Sequence, residues 1–234
     1  MTAILKRELS SYFSSAIGYI VLAVFYLFAG IYFFSASLYR NSASLNNVFS
    51  NLFTVVAFLI PILTMRLISE DKKQKTDQAL FTAPVRLSSI ALGKYFAALI
   101  LYVISISVTL LYAIVISFFV RPDWPVVLGN FLGLFLLGAA LIAIGMFLSS
   151  LTENQVIAAV SGFAVAIFVI MMDFISSIIP VQFISNILRN ISFTAHYSDF
   201  TMGIFNLVDV FFFLSVSALF VFLTVRIFEK KRWS

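Results

Sequence analysis

The sequence contains no cysteine, a single histidine and few charged residues. Without cysteine, disulfides, iron–sulfur clusters and cysteine-based zinc sites are excluded, and His196 alone cannot build a metal site of several histidines. Charged residues make up 11% of the 234 positions, whereas soluble domains carry about 25%. Hydrophobic residues make up 62%, and the mean hydropathy is +1.08. A soluble fold could not cover so much apolar surface, so we predict an integral membrane protein with no metal site.

Six long apolar runs each provide the roughly 20 residues that a membrane-spanning helix needs. They are unbroken, unlike barrel strands, which are about ten residues of alternating polarity. We therefore predict an all-α integral membrane protein, a single domain over 1–234 with six transmembrane helices. The runs cover 17–39, 48–68, 89–120, 126–150, 156–179 and 207–228.

Basic residues are concentrated on one side of the predicted membrane topology. All but three of the fifteen lie at the N-terminus, between the second and third runs, or at the C-terminus; the exceptions are Arg40, Arg121 and Arg189. The positive-inside rule then places both termini in the cytoplasm, and an even number of spans agrees with this. Membrane topology also explains the net charge of +5, so we expect no nucleic-acid partner.

Two segments outside the runs are amphipathic. At the N-terminus, Leu5, Leu9 and Tyr12 recur at helical spacing, which predicts a short helix in the cytoplasmic interface before the first span. The alternative is a plain polar lead-in.

The second amphipathic segment lies between the fifth and sixth runs, on the outer side. We expect it to rest on the outer leaflet, with an ordinary folded loop as the alternative. The residues that share its apolar helical face are Phe183, Ile184, Ile187, Leu188 and Ile191.

The stretch "ISEDKKQKTDQALFTAP", residues 68–84, holds six charged residues between Glu70 and Asp77. We expect Ser69 to cap a short cytoplasmic helix between spans two and three, with acidic residues in its first turn. A lipid anchor would carry basic residues alone. Mixed charge beside Leu80 and Phe81 better suits docking into a soluble partner. The alternative is a solvated loop that only sets the topology.

The sequence shows no clustered reactive groups, so we expect no enzyme. Gly93 and Lys94 lack the second glycine and the following Ser or Thr of a phosphate-binding loop, which predicts no ATP site on this chain. Asp173 and Asp209 lie near the outer ends of apolar runs. An intramembrane carboxylate is a functional candidate, but helix capping or pairing with Arg189 is the interpretation that we favour.

Small residues recur every four positions in the fifth run, at Ala158, Gly162 and Ala166. Such a stripe lets helix backbones approach closely in lipid. It predicts helix packing, either within the chain or against a second copy.

Residues 65–98, "MRLISEDKKQKTDQALFTAPVRLSSIALGKYFAA", resemble the signature of ABC-2 type permeases. Asp71 stands at the family's acidic position, Thr76 at its threonine, and Leu92–Lys94 at its Leu-Gly-Lys. Lys75 stands where the family usually has glycine, from which we expect the helix to continue through this position instead of turning.

Two further segments extend this resemblance. "KRELSSYFSSAIGYIV" is similar to the family's N-terminal interfacial helix and first span. "FTAHYSDFTMGIFNLVDVFFFLSV", 193–216, looks closest to the gliding-motility and nitrous-oxide-cluster branch, although Met202 replaces an expected basic residue.

The resemblance implies a permease subunit in a bacterial cytoplasmic membrane. It would work with two copies of a cytosolic ABC ATPase and with a second permease, as a homodimer or heterodimer, to export or flip a substrate. ATP and Mg²⁺ would bind to the ATPase, with no cofactor on this chain. The implied coupling residues are Glu70, Asp71, Lys72, Lys73, Gln74, Lys75, Thr76, Asp77, Ala79 and Leu80.

The alternative function is an ABC-type membrane scaffold that moves no substrate. It would transmit the motion of the ATPase to an extracellular or membrane accessory protein. The residues expected to serve that contact in the outer segment are His196, Asp199, Gly203 and Asp209.

Overall fold

The computed structural model describes residues 1–39, 44–76, 85–120, 122–178 and 188–233. These residues form helices joined by short turns, and no strand occurs among them. The helices are α1 (Thr2–Ser14), α2 (Ala16–Phe33), a π-helical turn (Phe34–Leu38), α3 (Asn46–Thr64), α4 (Ser69–Lys73), α5 (Leu87–Ile106), α6 (Val108–Ser117), α7 (Trp124–Leu151), α8 (Gln155–Ile178), α9 (Phe193–Thr201) and α10 (Leu207–Trp233).

The all-helical prediction with six candidate membrane-spanning helices is confirmed. The second segment runs past its predicted end at 68 and includes α4, and the third consists of α5 and α6, which meet at Ser107. The segments are Ala16–Ser37, Asn46–Lys73, Leu87–Ser117, Trp124–Leu151, Gln155–Met172 and Leu207–Arg232.

Helix α7 is the centre of the bundle. In its most apolar window, 72% of the residues are buried, compared with 22% for α10 at the periphery. Two tyrosines of α5 donate hydrogen bonds to backbone carbonyls of α7. The Tyr102 hydroxyl donates to Leu134 O over 2.6 Å, and the Tyr95 hydroxyl donates to Ala139 O over 3.2 Å. Buried hydroxyls need such partners, because an unpaired polar group is costly in an apolar interior.

Helices α7 and α10 run in the same direction. Gly203, just before α10, lies against Val126 at the start of α7, and the rings of Phe147 and Phe220 are 5.5 Å apart further along. The two helices therefore end together at one end of the bundle, where α1 and α4 also lie. We call that end the terminal face, and the end that carries α9 the opposite face.

Helix α1 packs closely on the start of α5. A side chain at Gly93 would place its Cβ 3.0 Å from Cγ2 of Ile4, so the missing side chain leaves room for α1. At the other end of α1, the buried Tyr12 hydroxyl donates to Leu63 O over 3.1 Å. Burial, followed by the charge of Glu8, raises the pKa of this phenol, which therefore stays protonated as a donor.

Candidate functional site

Lys94 is the most deeply buried charged side chain of the terminal face. It is 2% exposed, yet it lies near the start of the third span, between α1 and α4. Its Nζ donates to Glu8 Oε1 over 2.8 Å and to Leu67 O over 2.7 Å, and it lies 2.7 Å from Asp71 Oδ2. The approach to Asp71 is an ion pair that does not meet hydrogen-bond angles.

Asp71 is the second centre of this group. Its Oδ1 accepts from the Thr76 hydroxyl over 2.9 Å and lies 3.4 Å from Nη2 of Arg7. We call Arg7, Glu8, Asp71, Thr76 and Lys94 the Lys94 cluster. Two cations face two carboxylates in it. The cluster therefore carries no net charge and connects α1, α4 and α5, with Lys94, Glu8 and Asp71 turned inward and Arg7 exposed at its edge.

The start of α4 is capped by a side chain of another helix, and the predicted cap at Ser69 is wrong. The Ser69 hydroxyl instead donates back to Met65 O, and Ile68 is the residue before the helix. The hydroxyl of Ser149, on α7, accepts from both Ile68 N and Ser69 N over 3.1 Å. A side chain of span four thereby satisfies backbone donors that a local cap would otherwise take.

The expectation that the helix continues through Lys75 is also wrong. Helix α4 ends at Lys73, and Lys75 has a φ of +58°, in the left-handed region. This is the conformation for which glycine is the default residue. The turn is therefore made despite the lysine, and it brings Thr76 back within hydrogen-bond distance of Asp71.

The remaining predicted coupling residues divide between inward and outward positions. Glu70 is held by a bidentate contact with Arg66, at 2.5 and 2.6 Å, and Lys72 donates to Ser150 O at the end of α7. Lys73, Gln74 and Lys75 are exposed. Asp77, Ala79 and Leu80 lie outside the described residues.

The small-residue stripe of α8 packs within the chain at its centre. A Cβ on Gly162 would lie 2.9 Å from Cβ of Pro61 on α3. Ala158 and Ala166 are buried as well, at 4% and 1% exposure. The stripe therefore allows α8 to approach α3 of the same chain.

At the opposite face, His196 and Asp209 form a close pair. His196 Nδ1 is 2.5 Å from Asp209 Oδ1, its Nε2 is 3.0 Å from Asn190 O, and its ring stacks on Phe212 at 4.1 Å. Asp209 is 2% exposed. Its observed partner is His196, which replaces the predicted pairing with Arg189; the side chain of Asp173 lies outside what the structure describes.

A cavity of about 620 Å³ opens beside this pair. Asp209, Asp199 and Arg189 line it. Burial, then the negative charge of Asp209 and a hydrogen bond with it, raises the pKa of the Asp199 carboxyl. While Asp199 is ionised, Oδ2 of Asp209 has no hydrogen-bond donor among the described residues.

Gly203 sets the chain path between α9 and α10. Its φ is +76°, and a Cβ there would lie 2.8 Å from Cγ2 of Val126. Helix α9 itself is anchored inward, with Tyr197 donating to Phe49 O over 2.8 Å and Phe200 fully buried. Of the apolar face predicted for this outer segment, Phe183, Ile184 and Ile187 lie outside the described residues.

The sequence predicts Asp71 as a coupling candidate, but it does not predict the partners that hold it. Glu8 and Arg7 are far away in the sequence, and Lys94 is distinguished there only by the Leu-Gly-Lys motif. One signal was present: a lysine seven residues inside an apolar helix, after a glycine, requires a carboxylate or carbonyl partner. The capping role of Ser149 had no signal in the sequence.

Comparison with known proteins gives one family match. A family model described as an ABC-2 family transporter protein matches residues 5–173. This range covers α1 from residue 5 onward, the charged segment between α3 and α5, and the Lys94 cluster, but it ends before α9. No curated protein matches the chain.

Proposed function

Because this chain belongs to the ABC-2 family of transporter proteins, we propose that it is the multi-pass permease subunit of an ABC transporter and that α4 docks onto a cytosolic ATPase. The terminal face would lie in the cytoplasm of a bacterial cell, in line with the positive-inside rule. Two ATPase copies would bind ATP and Mg²⁺, and the permease would export or flip its substrate. Assignment to the gliding-motility and nitrous-oxide-cluster branch stays a prediction, since it depends on 193–216, beyond the matched range.

The observation that carries the proposal is the division of α4 and the turn after it into an inward and an outward side. Lys73 and Lys75 are exposed and available to a partner, while Asp71 is fixed inward by Lys94. A segment that only set the topology would not need buried ion pairs to the spans behind it. A segment whose exposed side can bind a partner and whose inner side is fixed to the spans is suited to transmitting the partner's motion.

The contacts behind α4 supply the route for that motion. Asp71 connects α4 through Lys94 to α5, and the same Lys94 connects to α1 through Glu8. Ser149 connects the start of α4 to the end of α7, the central helix. A displacement of α4 by the ATPase would therefore apply force to spans three and four and to the N-terminal helix at the same time.

A second permease subunit is supported by a polar stripe on α3. Asn47, Asn51 and Thr54 lie on one side of the helix and are exposed, although α3 is a membrane span. Polar side chains within a span usually face other helices or a polar path, because lipid cannot bind them. We propose that this stripe faces a second permease, homologous or identical, across the transport path.

The scaffold function remains the second proposal, and one observation favours it. The cavity between α3, α7 and α8 is apolar and holds only about 10 Å³, too little for a substrate. The larger cavity lies at the opposite face, where an extracellular partner would bind. Reconstitution of the permease with its ATPase in liposomes distinguishes the two: ATP turnover without transbilayer movement of any lipid or solute supports the scaffold.

The docking proposal is tested by charge reversal at Lys73. In cells that express the permease together with its ABC ATPase, Lys73→Glu should lower the ATPase recovered with tagged permease about tenfold, because it reverses an exposed interface charge. Lys230→Glu is the matched control, since Lys230 is equally exposed, near the end of α10. Equal recovery with both variants would falsify docking through α4.

A further inference from the structure

The cavity at the opposite face has a buried carboxylate oxygen that nothing in the transport proposal uses. Asp209 Oδ1 is engaged by His196, and while Asp199 is ionised, Oδ2 is buried without a donor among the described residues. A buried acceptor left unpaired destabilises the folded protein. A group that donates hydrogen bonds to this oxygen from the cavity would remove that cost.

The charges around the cavity define what that group must be. His196 is held between two acceptors, Asp209 Oδ1 and Asn190 O. Asp209 and Asp199 bring carboxyl groups to the cavity, and Arg189, exposed at the same cavity, brings a guanidinium. A lining that carries both acidic and basic groups complements a zwitterion.

A primary ammonium group fits the two carboxylates. It has three N–H donors, enough for Asp209 Oδ2, for Asp199 and for one amide or carbonyl oxygen beside them. A metal ion fits less well, because both nitrogens of the His196 ring are already hydrogen-bonded. The Arg189 guanidinium is suited to a phosphate.

The position of the cavity indicates the source of such a zwitterion. Ser176, near the end of the fifth span, and Val208, at the start of the sixth, both line it. Val208 is 63% exposed, and Phe211, one turn along the same side of α10, is 67% exposed. Exposed apolar side chains on a membrane span face acyl chains, so the cavity lies where the span meets the lipid headgroups.

We propose that this cavity binds the phosphoethanolamine headgroup of a membrane lipid, with the ammonium at Asp209 and Asp199 and the phosphate at Arg189. The cavity volume of about 620 Å³ is in the range of small-molecule sites, roughly 300–1,000 Å³. The site requires no ATPase and no transported substrate, so it stands or falls independently of the transport proposal.

The proposal is tested on the purified full-length chain in detergent. Phosphatidylethanolamine or phosphatidylcholine with identical acyl chains is added, and the bound lipid is measured by native mass spectrometry and by the shift in Tm. Phosphatidylethanolamine should bind about tenfold more tightly, because the trimethylated headgroup of phosphatidylcholine has no N–H to donate.

Variants connect the preference to the cavity. Asp199→Asn should reduce phosphatidylethanolamine binding several-fold and so remove most of the preference over phosphatidylcholine. Arg189→Gln should weaken the binding of both lipids, because both carry the phosphate. Neither residue is deeply buried, so folding should be retained. Asp123→Asn, an exposed aspartate on the same face outside the cavity, is the matched control and should keep the full preference.

Soluble O-phosphoethanolamine separates the two sources of the headgroup. If it competes only at far higher concentration than the lipid, the ligand is the membrane lipid; if it binds as tightly, the ligand is a free headgroup compound, and the recognition chemistry stands. Equal binding of the two lipids, a preference that survives Asp199→Asn, or lipid binding that Arg189→Gln leaves unchanged would overturn the proposal.

Discussion

At the terminal face, Lys94 is 2% exposed and lies against two carboxylates and a carbonyl; at the opposite face, Asp209 is equally buried, and its Oδ2 has no donor while Asp199 is ionised. Asp71 Oδ2 also lacks a hydrogen-bond donor, but it lies 2.7 Å from the ammonium of Lys94, in a cluster that connects three helices of the chain. Asp209 instead lines a cavity. Paired networks make a structure rigid, whereas a buried polar group without a partner requires an explanation.

The two faces also differ in what holds them together. Charge pairing fixes α4 to the bundle, while α9 is held by buried aromatic rings and by the backbone conformation at Gly203. A substitution that removes charge should therefore damage the terminal face most. A substitution that changes backbone fit should damage the opposite face.

Lys94→Met should have the largest effect on stability. It leaves Glu8 and Asp71 buried without their cation, which costs about 3–5 kcal/mol. The Tm of the detergent-purified chain should fall strongly, whereas Lys230→Met, at an exposed lysine, should leave it unchanged. Adding Glu8→Gln and Asp71→Asn to Lys94→Met should recover part of the loss. A Lys94→Met protein as stable as the Lys230→Met control would show that the cluster does not hold the terminal face.

Gly203→Ala should have an intermediate effect. Its left-handed conformation costs an L-residue about 1–2 kcal/mol, and the new Cβ would also press on Val126. Gly129→Ala is the control on the same face, because a Cβ there would be 3.8 Å from its nearest neighbour, in a helix that favours alanine. The unfolding free energy should be lower for Gly203→Ala than for Gly129→Ala. Equal unfolding free energies of the two variants would contradict the conformational requirement at Gly203.

Asp199→Asn should have the smallest effect, a change in how stability depends on pH. Burial, then the charge of Asp209, raises the pKa of Asp199 in the folded protein, so its contribution is present at acidic pH and is lost as pH rises through the folded pKa. His196 and Arg189 also face it and oppose the shift. The difference in Tm between wild type and Asp199→Asn should favour wild type more at low than at neutral pH. A difference independent of pH would contradict the raised pKa.

Much of the fold could be predicted from sequence because apolar run length is a local property. The six spans follow directly from that length. The helix cap at Ser69 and continuation through Lys75 were predicted wrongly, because both are decided by residues elsewhere: Ser149 takes the cap, and Asp71 draws Thr76 back through the turn.

The sequence by itself determined that this chain is a helical membrane protein with six spans and a charged segment between the second and third. Apolar length and charge distribution suffice for that, since lipid excludes any spanning helix rich in charge. Only the tertiary structure decided which side of the charged segment faces inward and which carboxylate lacks a donor. Those outcomes depend on pairs such as Glu8 with Lys94 and His196 with Asp209, which become neighbours only when separate helices pack.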